Sequence, residues 1–209
     1  MSFGAEGEDY DGPDSGLRLA EPSDAGTLVD LIRSAYRGDA SRAGWTSEAD
    51  LVAGDRTSCE QVSATISEPG SMMLVADDGQ GIVACCQLQD RGGGVAYFGT
   101  FAVSPTAQGA GLGRRVVSEA ERQAVRVFGS YRLEITVLAQ QELLIGWYER
   151  LGFRRTGETR PFPADERFAR PLRDGLYFAV LEKPLEPWPP GRPRPLRVTT
   201  SGPAPATRQ

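Results

Sequence analysis

The chain of 209 residues contains no histidine. That absence removes Ser-His-Asp and Cys-His nucleophilic triads and every His-ligated metal site. No metal is expected, and proton transfer must run through Tyr, Glu, Asp, Cys, Lys, Arg, water or a terminus. Lysine is nearly missing as well: Lys183 is the only one, so the remaining basic residues are arginines. Three cysteines, of which Cys85 and Cys86 are adjacent, make no disulfide framework and suit a reducing compartment. No apolar run approaches the roughly 20 residues that a membrane helix needs. The acidic, apolar-poor opening MSFGAEGEDYDGPDSG is not a signal peptide. The expected location is therefore the cytoplasm, with no membrane partner. A net charge of −5 also lacks the basic footprint of an electrostatic nucleic-acid binder.

What is present is ordinary for a globular chain, with 40% hydrophobic and 24% charged residues, and the length suits one domain plus tails. Residues 1–16 are rich in Gly, Asp and Glu and are expected to be a disordered tail. The domain is expected over residues 17–183. From Pro184 onward proline density forbids helix and sheet, so residues 184–209 are expected to be a Pro/Arg-rich disordered tail. Arg192, Arg194, Arg197 and Arg208 face no acid after Glu186. A solvated tail is the plain reading, and docking on an acidic partner is the alternative.

Between the tails, apolar periodicity sets the elements. Leu17–Ala20 reads as a short strand. Ser23 is placed to cap a helix whose buried face is Ala25, Leu28, Ile32, Ala35 and Tyr36. A loop over 38–46 leads to a helical piece starting at Ser47, with another from Ser58 to Ser67. Met72–Ala76 and Gly81–Leu88 are strands joined by the turn Asp77-Asp78-Gly79-Gln80. Cys85 and Cys86 alternate to opposite faces of the second strand and read as structural. Arg132–Leu138 is a further strand, with Leu133, Ile135 and Val137 on one face and Arg132, Glu134 and Thr136 on the other. Leu143, Leu144, Trp147, Tyr148 and Leu151 mark a helix ending at Gly152. Phe153–Glu158 and Leu176–Leu181 close the fold around a polar segment, Arg160–Asp174.

The stretch from Tyr97 to Ala120, YFGTFAVSPTAQGAGLGRRVVSEA, organises the rest. Residues Val95–Val103 are aromatic or β-branched enough for a buried strand. Ser104-Pro105 ends it, because proline donates nothing to a ladder. A loop of small residues follows, and Leu112, Val116, Val117, Ala120, Ala124 and Val127 trace one helix face. Strand, glycine loop and helix N-terminus make an anion site, because the first helical amides lack partners and the macrodipole is positive there. A nucleotide-hydrolysing loop needs Lys-Ser/Thr after its last glycine, where this chain has Arg114-Arg115. The dinucleotide order G-x-G-x-x-G is absent too. A glycine-rich turn without a ligand remains the plain alternative.

The order present, Q-x-x-G-x-G over Gln108–Gly113, resembles the pyrophosphate loop of the GNAT superfamily of N-acetyltransferases. A second match is Trp147-Tyr148-Glu149-Arg150-Leu151-Gly152-Phe153, similar to the family's F-Y-x-x-x-G-F signature. Both stand on the expected elements, and the resemblance covers roughly 17–183. It implies an α/β (α+β) GNAT fold: a mixed, mostly antiparallel central sheet, splayed between its fourth and fifth strands and flanked by helices. It implies an acetyl-CoA-dependent N-acetyltransferase in which a primary amine, of a small molecule, attacks the thioester directly in a ternary complex. The alternatives are acetylation of a protein N-terminus or lysine, and a non-catalytic acyl-CoA-binding domain. A homodimer is compatible with the resemblance.

Carried over residue by residue, the resemblance implies that backbone groups of Phe101, Ala102 and Val103 pair with the pantetheine arm of acetyl-CoA. The amides of Gln108, Gly109, Ala110, Gly111, Leu112 and Gly113, with Arg114 beyond them, hold the pyrophosphate. Gln141 stands where many members have Asn, and Leu144 where they have Ala. Tyr148 matches the tyrosine beside the thioester sulfur. A phenol of pKa about 10 can protonate a departing thiolate whose conjugate acid lies near about 8.5. A core tyrosine on an amphipathic helix is the plain alternative. Relatives with a carboxylate base carry it on the fourth strand, where this chain offers Gly99 and Thr100. Glu134 on the next strand is the best-placed carboxylate if it faces the cleft, and otherwise a solvated strand residue. Glu158 and Asp165 are further candidates. On the acceptor side, Trp45 and Phe162 suggest apolar walls, Glu48 or Asp50 an attraction for an ammonium, and Arg160 one for a carboxylate. Each also reads as a surface or capping residue.

Overall fold

The structure, a computed structural model, describes residues 16–42, 44–163, 165 and 167–187. The two expected tails therefore lie almost entirely outside the described residues. One seven-stranded sheet runs in the order β1-β3-β4-β5-β6-β9-β7, from β1 (Leu17–Leu19), β3 (Ser71–Asp77), β4 (Ile82–Asp90), β5 (Val95–Val103), β6 (Arg132–Leu138), β7 (Arg154–Pro161) and β9 (Tyr177–Pro184). The pair β5·β6 is parallel, and every other pair in this sheet is antiparallel. A separate ribbon pairs β2 (Val52–Ala53) with β8 (Arg170–Pro171). The packed chain extends one residue past β9, because Leu185 is buried and its N–H bonds the Tyr131 carbonyl at 2.9 Å.

Helices cover both faces of the sheet. Against one face lie α1 (Ala25–Tyr36) and α3 (Cys59–Ser67), whose Leu28, Ile32 and Val62 meet Met73, Val75, Cys85 and Ala102. Against the other lie α4 (Leu112–Gln123) and α5 (Glu142–Arg150), with Val116, Val117, Ala120 and Ile145 on Leu74, Cys86, Phe98 and Ile135. Cys85 and Cys86 thus go to opposite layers, as strand alternation requires. Each fully buried Leu or Ile contributes roughly 1.5–3 kcal/mol of transfer free energy. The only side-chain ammonium, on Lys183, closes on Glu121 at 2.5 Å and ties β9 to α4.

Four expectations change. Ser23 does not cap α1. It lies inside a 3₁₀ turn, Pro22–Asp24, where the Asp24 carboxylate accepts from the Glu21 N–H at 2.8 Å. Pro22 fits the start of such a turn because it has no N–H to lose. No helix starts at Ser47. The short helix is α2 (Gly38–Arg42), and the Ser47 hydroxyl bonds the Ser41 hydroxyl at 2.6 Å and accepts the Ala49 N–H at 3.1 Å, a local turn that competes with helix. The polar segment after Arg160 contains β8. In α5 the buried residues are Ile145, at 0% exposure, and Tyr148, while Leu143 is 70% exposed. Truncating Ile145 to Ala is expected to cost about 2–5 kcal/mol and Leu143→Ala less than about 0.5 kcal/mol in chemical denaturation. Equal costs would contradict this packing.

Candidate active site

The site begins where β5 and β6 part. Their pairing runs from Val95↔Arg132 to Phe98↔Ile135 and stops. On the other side of β5, Cys85 faces Ala102 but Gln87 faces Gly99, so Cys86 opposes the two residues Thr100 and Phe101. This is a β-bulge, which bends the strand that carries the extra residue. Thr100 takes φ +43°, a conformation costing a β-branched residue on the order of 1–3 kcal/mol. Its hydroxyl donates to the Gln87 carboxamide at 3.3 Å. Past the bulge, Phe101 and Val103 turn carbonyls away from β4. The Phe101 carbonyl accepts from the Tyr36 hydroxyl at 2.8 Å, and that of Val103 from the Gln108 carboxamide at 3.2 Å. Ala102 points the other way, pairing with Cys85 and packing against α1. Of the three residues expected to meet a pantetheine arm, only Phe101 and Val103 face the gap.

The gap opens into a cleft of about 1050 Å³. At one end Gly109 (φ +89°) and Gly111 (φ +81°) lead into α4, which no side chain caps. A Cβ on either glycine would meet nothing within 4 Å, so it is the left-handed backbone that calls for glycine there, and the space above the loop is open. Uncapped first-turn amides with Arg114 beside the cleft make a donor set that fits a pyrophosphate. Leu112 instead packs against the core, and Ala110 does not line the cleft. Phe101 stacks on Trp147 at 6.0 Å between centroids, and Trp147 meets Tyr148 edge-on at 4.9 Å.

Tyr148 is 5% exposed and still reaches the cleft. Among the described residues its hydroxyl has no hydrogen-bond partner, although a buried phenol ordinarily finds one. Burial, then the neighbouring Tyr36, pushes its pKa well above the usual range, so it stays a donor across neutral pH. The same cluster pushes the Cys86 thiol well above its usual range, chiefly through desolvation.

The two glutamines have structural work. Gln108 accepts the Trp45 N–H at 2.6 Å while donating to Val103, and Gln141 donates to the Ser47 carbonyl at 3.3 Å. Together they hold segment 44–48 against the cleft, with the Trp45 ring 6.3 Å from Trp147. Several charged residues singled out in the sequence are already paired. Glu48 closes on Arg37 at 2.6 Å, and Asp50 on Arg42 at 2.6 Å. Glu134 takes both terminal nitrogens of Arg160 at 2.8 Å, and Arg160 also reaches Glu158 at 3.1 Å. These carboxylates hold the Arg160 guanidinium firmly charged. Asp165 accepts the Arg167 and Phe168 amides at 2.9 Å. Trp45, Glu48, Arg160, Phe162 and Asp165 all line the cleft, whereas Glu134 stands behind Arg160.

Sequence reasoning missed part of the wall. Tyr36 was assigned to packing, yet its hydroxyl sits on the bulge. The Tyr97 hydroxyl bonds Thr136 at 2.8 Å across the strand gap. Arg56 and Arg91 place guanidinium groups over the Tyr36 and Tyr97 rings at 4.7 and 4.8 Å. Arg56 has φ +65° and is spanned by a Thr57 N–H to Asp55 carbonyl bond of 2.7 Å, a γ-turn. No periodic pattern signals such a turn, and Asp55-Arg56-Thr57 reads as plain loop.

The sequence profile described as the Acetyltransferase (GNAT) family matches residues 29–153. No curated protein matches the chain. Many solved structures share the fold at low identity. YncA from Salmonella typhimurium, solved with its cofactor acetyl-CoA, superposes with a TM-score of 0.58 at 19% identity, covering 83% of this chain and 95% of its own. The ribosomal-protein-S18-alanine N-acetyltransferase from Escherichia coli gives 0.60 at 15% identity, covering 84% and 97%. A spermidine N-acetyltransferase SpeG chimera of Vibrio cholerae and hSSAT gives 0.58 at 14%, covering 80% and 93%. With that profile spanning more than half of its length, on this splayed sheet, the chain belongs to the GNAT family of acetyltransferases, which transfer the acetyl group of acetyl-CoA.

Proposed function

We propose that the protein acetylates the primary amine of a small molecule, by direct attack on the acetyl-CoA thioester in a ternary complex, with Tyr148 as general acid. The observation that carries this reading is the Tyr148 hydroxyl, which lines the cleft and among the described residues lacks an internal partner. The uncapped α4 amides and Arg114 would hold the pyrophosphate, and Phe101 and Val103 the amide-bearing arm. Acetyl-CoA supplies an activated acyl group. The walls around the acceptor end, Trp45 with Glu48 on one side and Phe162 with Phe168 on the other, favour a small amine over a protein chain.

In this reading the amine nitrogen forms the new C–N bond as the C–S bond breaks, and the Tyr148 proton passes to sulfur. The surplus proton of the nitrogen leaves to solvent, which also restores the phenol. A phenol with a raised pKa remains matched to this task, because a thiolate in the same interior is disfavoured too, as Cys86 illustrates. Holding both reactants in one cleft supplies much of the rate gain. We assign Glu134 to positioning Arg160 rather than to proton abstraction, since both its oxygens are engaged. Among the described residues every carboxylate lining the cleft has another partner, so in this reading the amine arrives neutral.

Four outcomes follow. Tyr148→Phe should lower kcat by about 10²–10⁴ with acetyl-CoA affinity unchanged in calorimetry; unaltered turnover would remove the phenol from the mechanism. Gly111→Glu should abolish acetyl-CoA binding while thermal melting stays cooperative, and retained binding would move the donor site elsewhere. The rate should rise with pH through the acceptor amine's own titration and show no fall up to about pH 9, because the raised Tyr148 pKa keeps the acid protonated. Glu134→Gln should leave that profile in place, and a lost or displaced limb would assign the base to Glu134.

A further inference from the structure

We infer that the acceptor amine also carries an anionic group, a carboxylate in the simplest case, and that Arg56 is the residue that binds it. This rests on the N-acetyltransferase reading above and adds the class of acceptor.

Charge is the first argument. The chain carries −5 overall, yet among the described residues six arginines and two carboxylates line the cleft. Arg114 and Arg150 belong to α4 and α5 at the donor end. At the acceptor end Arg37 is closed on Glu48 and Arg160 on Glu134. Asp165 is used by its own turn. Arg56 and Arg91 are left, and among the described residues neither has a carboxylate within ion-pair distance. Arg91 is exposed and Arg56 is half-buried. Glu48, the carboxylate whose charge acts on Arg56, is already committed to Arg37.

The backbone is the second, independent argument. Arg56 occupies a left-handed position that glycine would fill more cheaply. Its surroundings enforce the turn. The Arg56 N–H bonds the Phe168 carbonyl at 3.1 Å. Arg33 reaches from α1 to the carbonyls of Asp55 and Thr57, each at 3.1 Å. The guanidinium lies over the Tyr36 ring, and Tyr36 is anchored on Phe101 at the bulge. A strained turn clamped from two sides thus presents a planar, multi-donor cation to the cleft, with a ring behind it. Such a fork suits a carboxylate in bidentate contact.

The same arrangement disfavours polyamines, which among the described residues would meet cations and no unpaired acid. It also assists the chemistry, since a nearby positive charge lowers the pKa of the acceptor ammonium and raises the share of neutral amine.

The test separates anion binding from turnover. Phenylacetate and phenylacetamide, which differ in charge and carry no amine, are titrated into the full-length protein by calorimetry. Wild type should bind phenylacetate at least about tenfold more tightly than the amide, as a charged hydrogen-bonded contact predicts. Arg56→Gly suits the turn and should fold at least as stably while bringing that ratio to near one. Arg56→Met is the companion variant if glycine loosens the loop. A wild-type ratio near one, or a ratio unchanged in both variants, overturns the proposal. The second readout is acetylation of amino acids against their carboxamides and against spermidine, where KM should favour the carboxylates. Failure of every amine to be acetylated, with the phenylacetate preference intact and Arg56-dependent, would count against the N-acetyltransferase reading and still support the anion site.

Discussion

A strand that carries one residue more than its neighbour cannot keep hydrogen-bonding on both edges, and the site depends on that mismatch in β5. On one edge the bulge lets β5 stay paired with β4 from Ala96 to Val103. On the other, pairing with β6 ends at Phe98. The carbonyls of Phe101 and Val103 are then left facing a gap, where buried polar groups need partners. Tyr36 and Gln108 supply side chains for them. Through those two contacts the separation of the strands fixes the acceptor wall on α1 and the segment around Trp45. Thr100, with its left-handed φ, is the point at which this strain is stored.

The electrostatics follow the same logic of local closure. Four of the eight charged side chains that line the cleft among the described residues are satisfied by a neighbour: Glu48 and Arg37 by each other, Arg160 by Glu134, Asp165 by its own backbone turn. Both described carboxylates of the cleft are thereby engaged, and neither is left to compete for an acceptor or buffer its proton. What stands out against this background is a phenol and a guanidinium, Tyr148 and Arg56, each held by packing and neither consumed by an ion pair.

Much of the fold was legible in the sequence because it rests on local regularities. A hairpin turn marked β3 and β4, aromatic and β-branched composition marked β5, alternation marked β6, and the three- and four-residue spacing marked α1 and α4. The glycine loop and the Trp147–Phe153 stretch identified the family and hence the donor end of the cleft. The failures share a cause. Ser47 has the chemistry of a helix cap but spends it on Ser41. The strands β2 and β8 span two residues each, too short for any period to show. Leu143 and Ile145 compete for one face of a nine-residue helix, and only tertiary packing decides between them. Whether Glu134 or Arg160 is available depends on contacts between residues 26 positions apart, and no local pattern encodes that. The γ-turn at Arg56 is likewise set by Arg33 and Phe168, which lie far away in sequence.

The near-absence of lysine acquires a meaning beside a thioester. Acetyl-CoA reacts slowly with any accessible neutral amine, and an enzyme that concentrates it exposes its own surface to that chemistry. Here the cationic surface is built from guanidinium groups, which are effectively always protonated and do not acylate under such conditions. The one side-chain amine, on Lys183, is about one-quarter exposed and held against Glu121 in a salt bridge. Among its own side chains, then, the protein offers its donor no competing nucleophilic nitrogen, and the surface charge pattern is preserved however long it works.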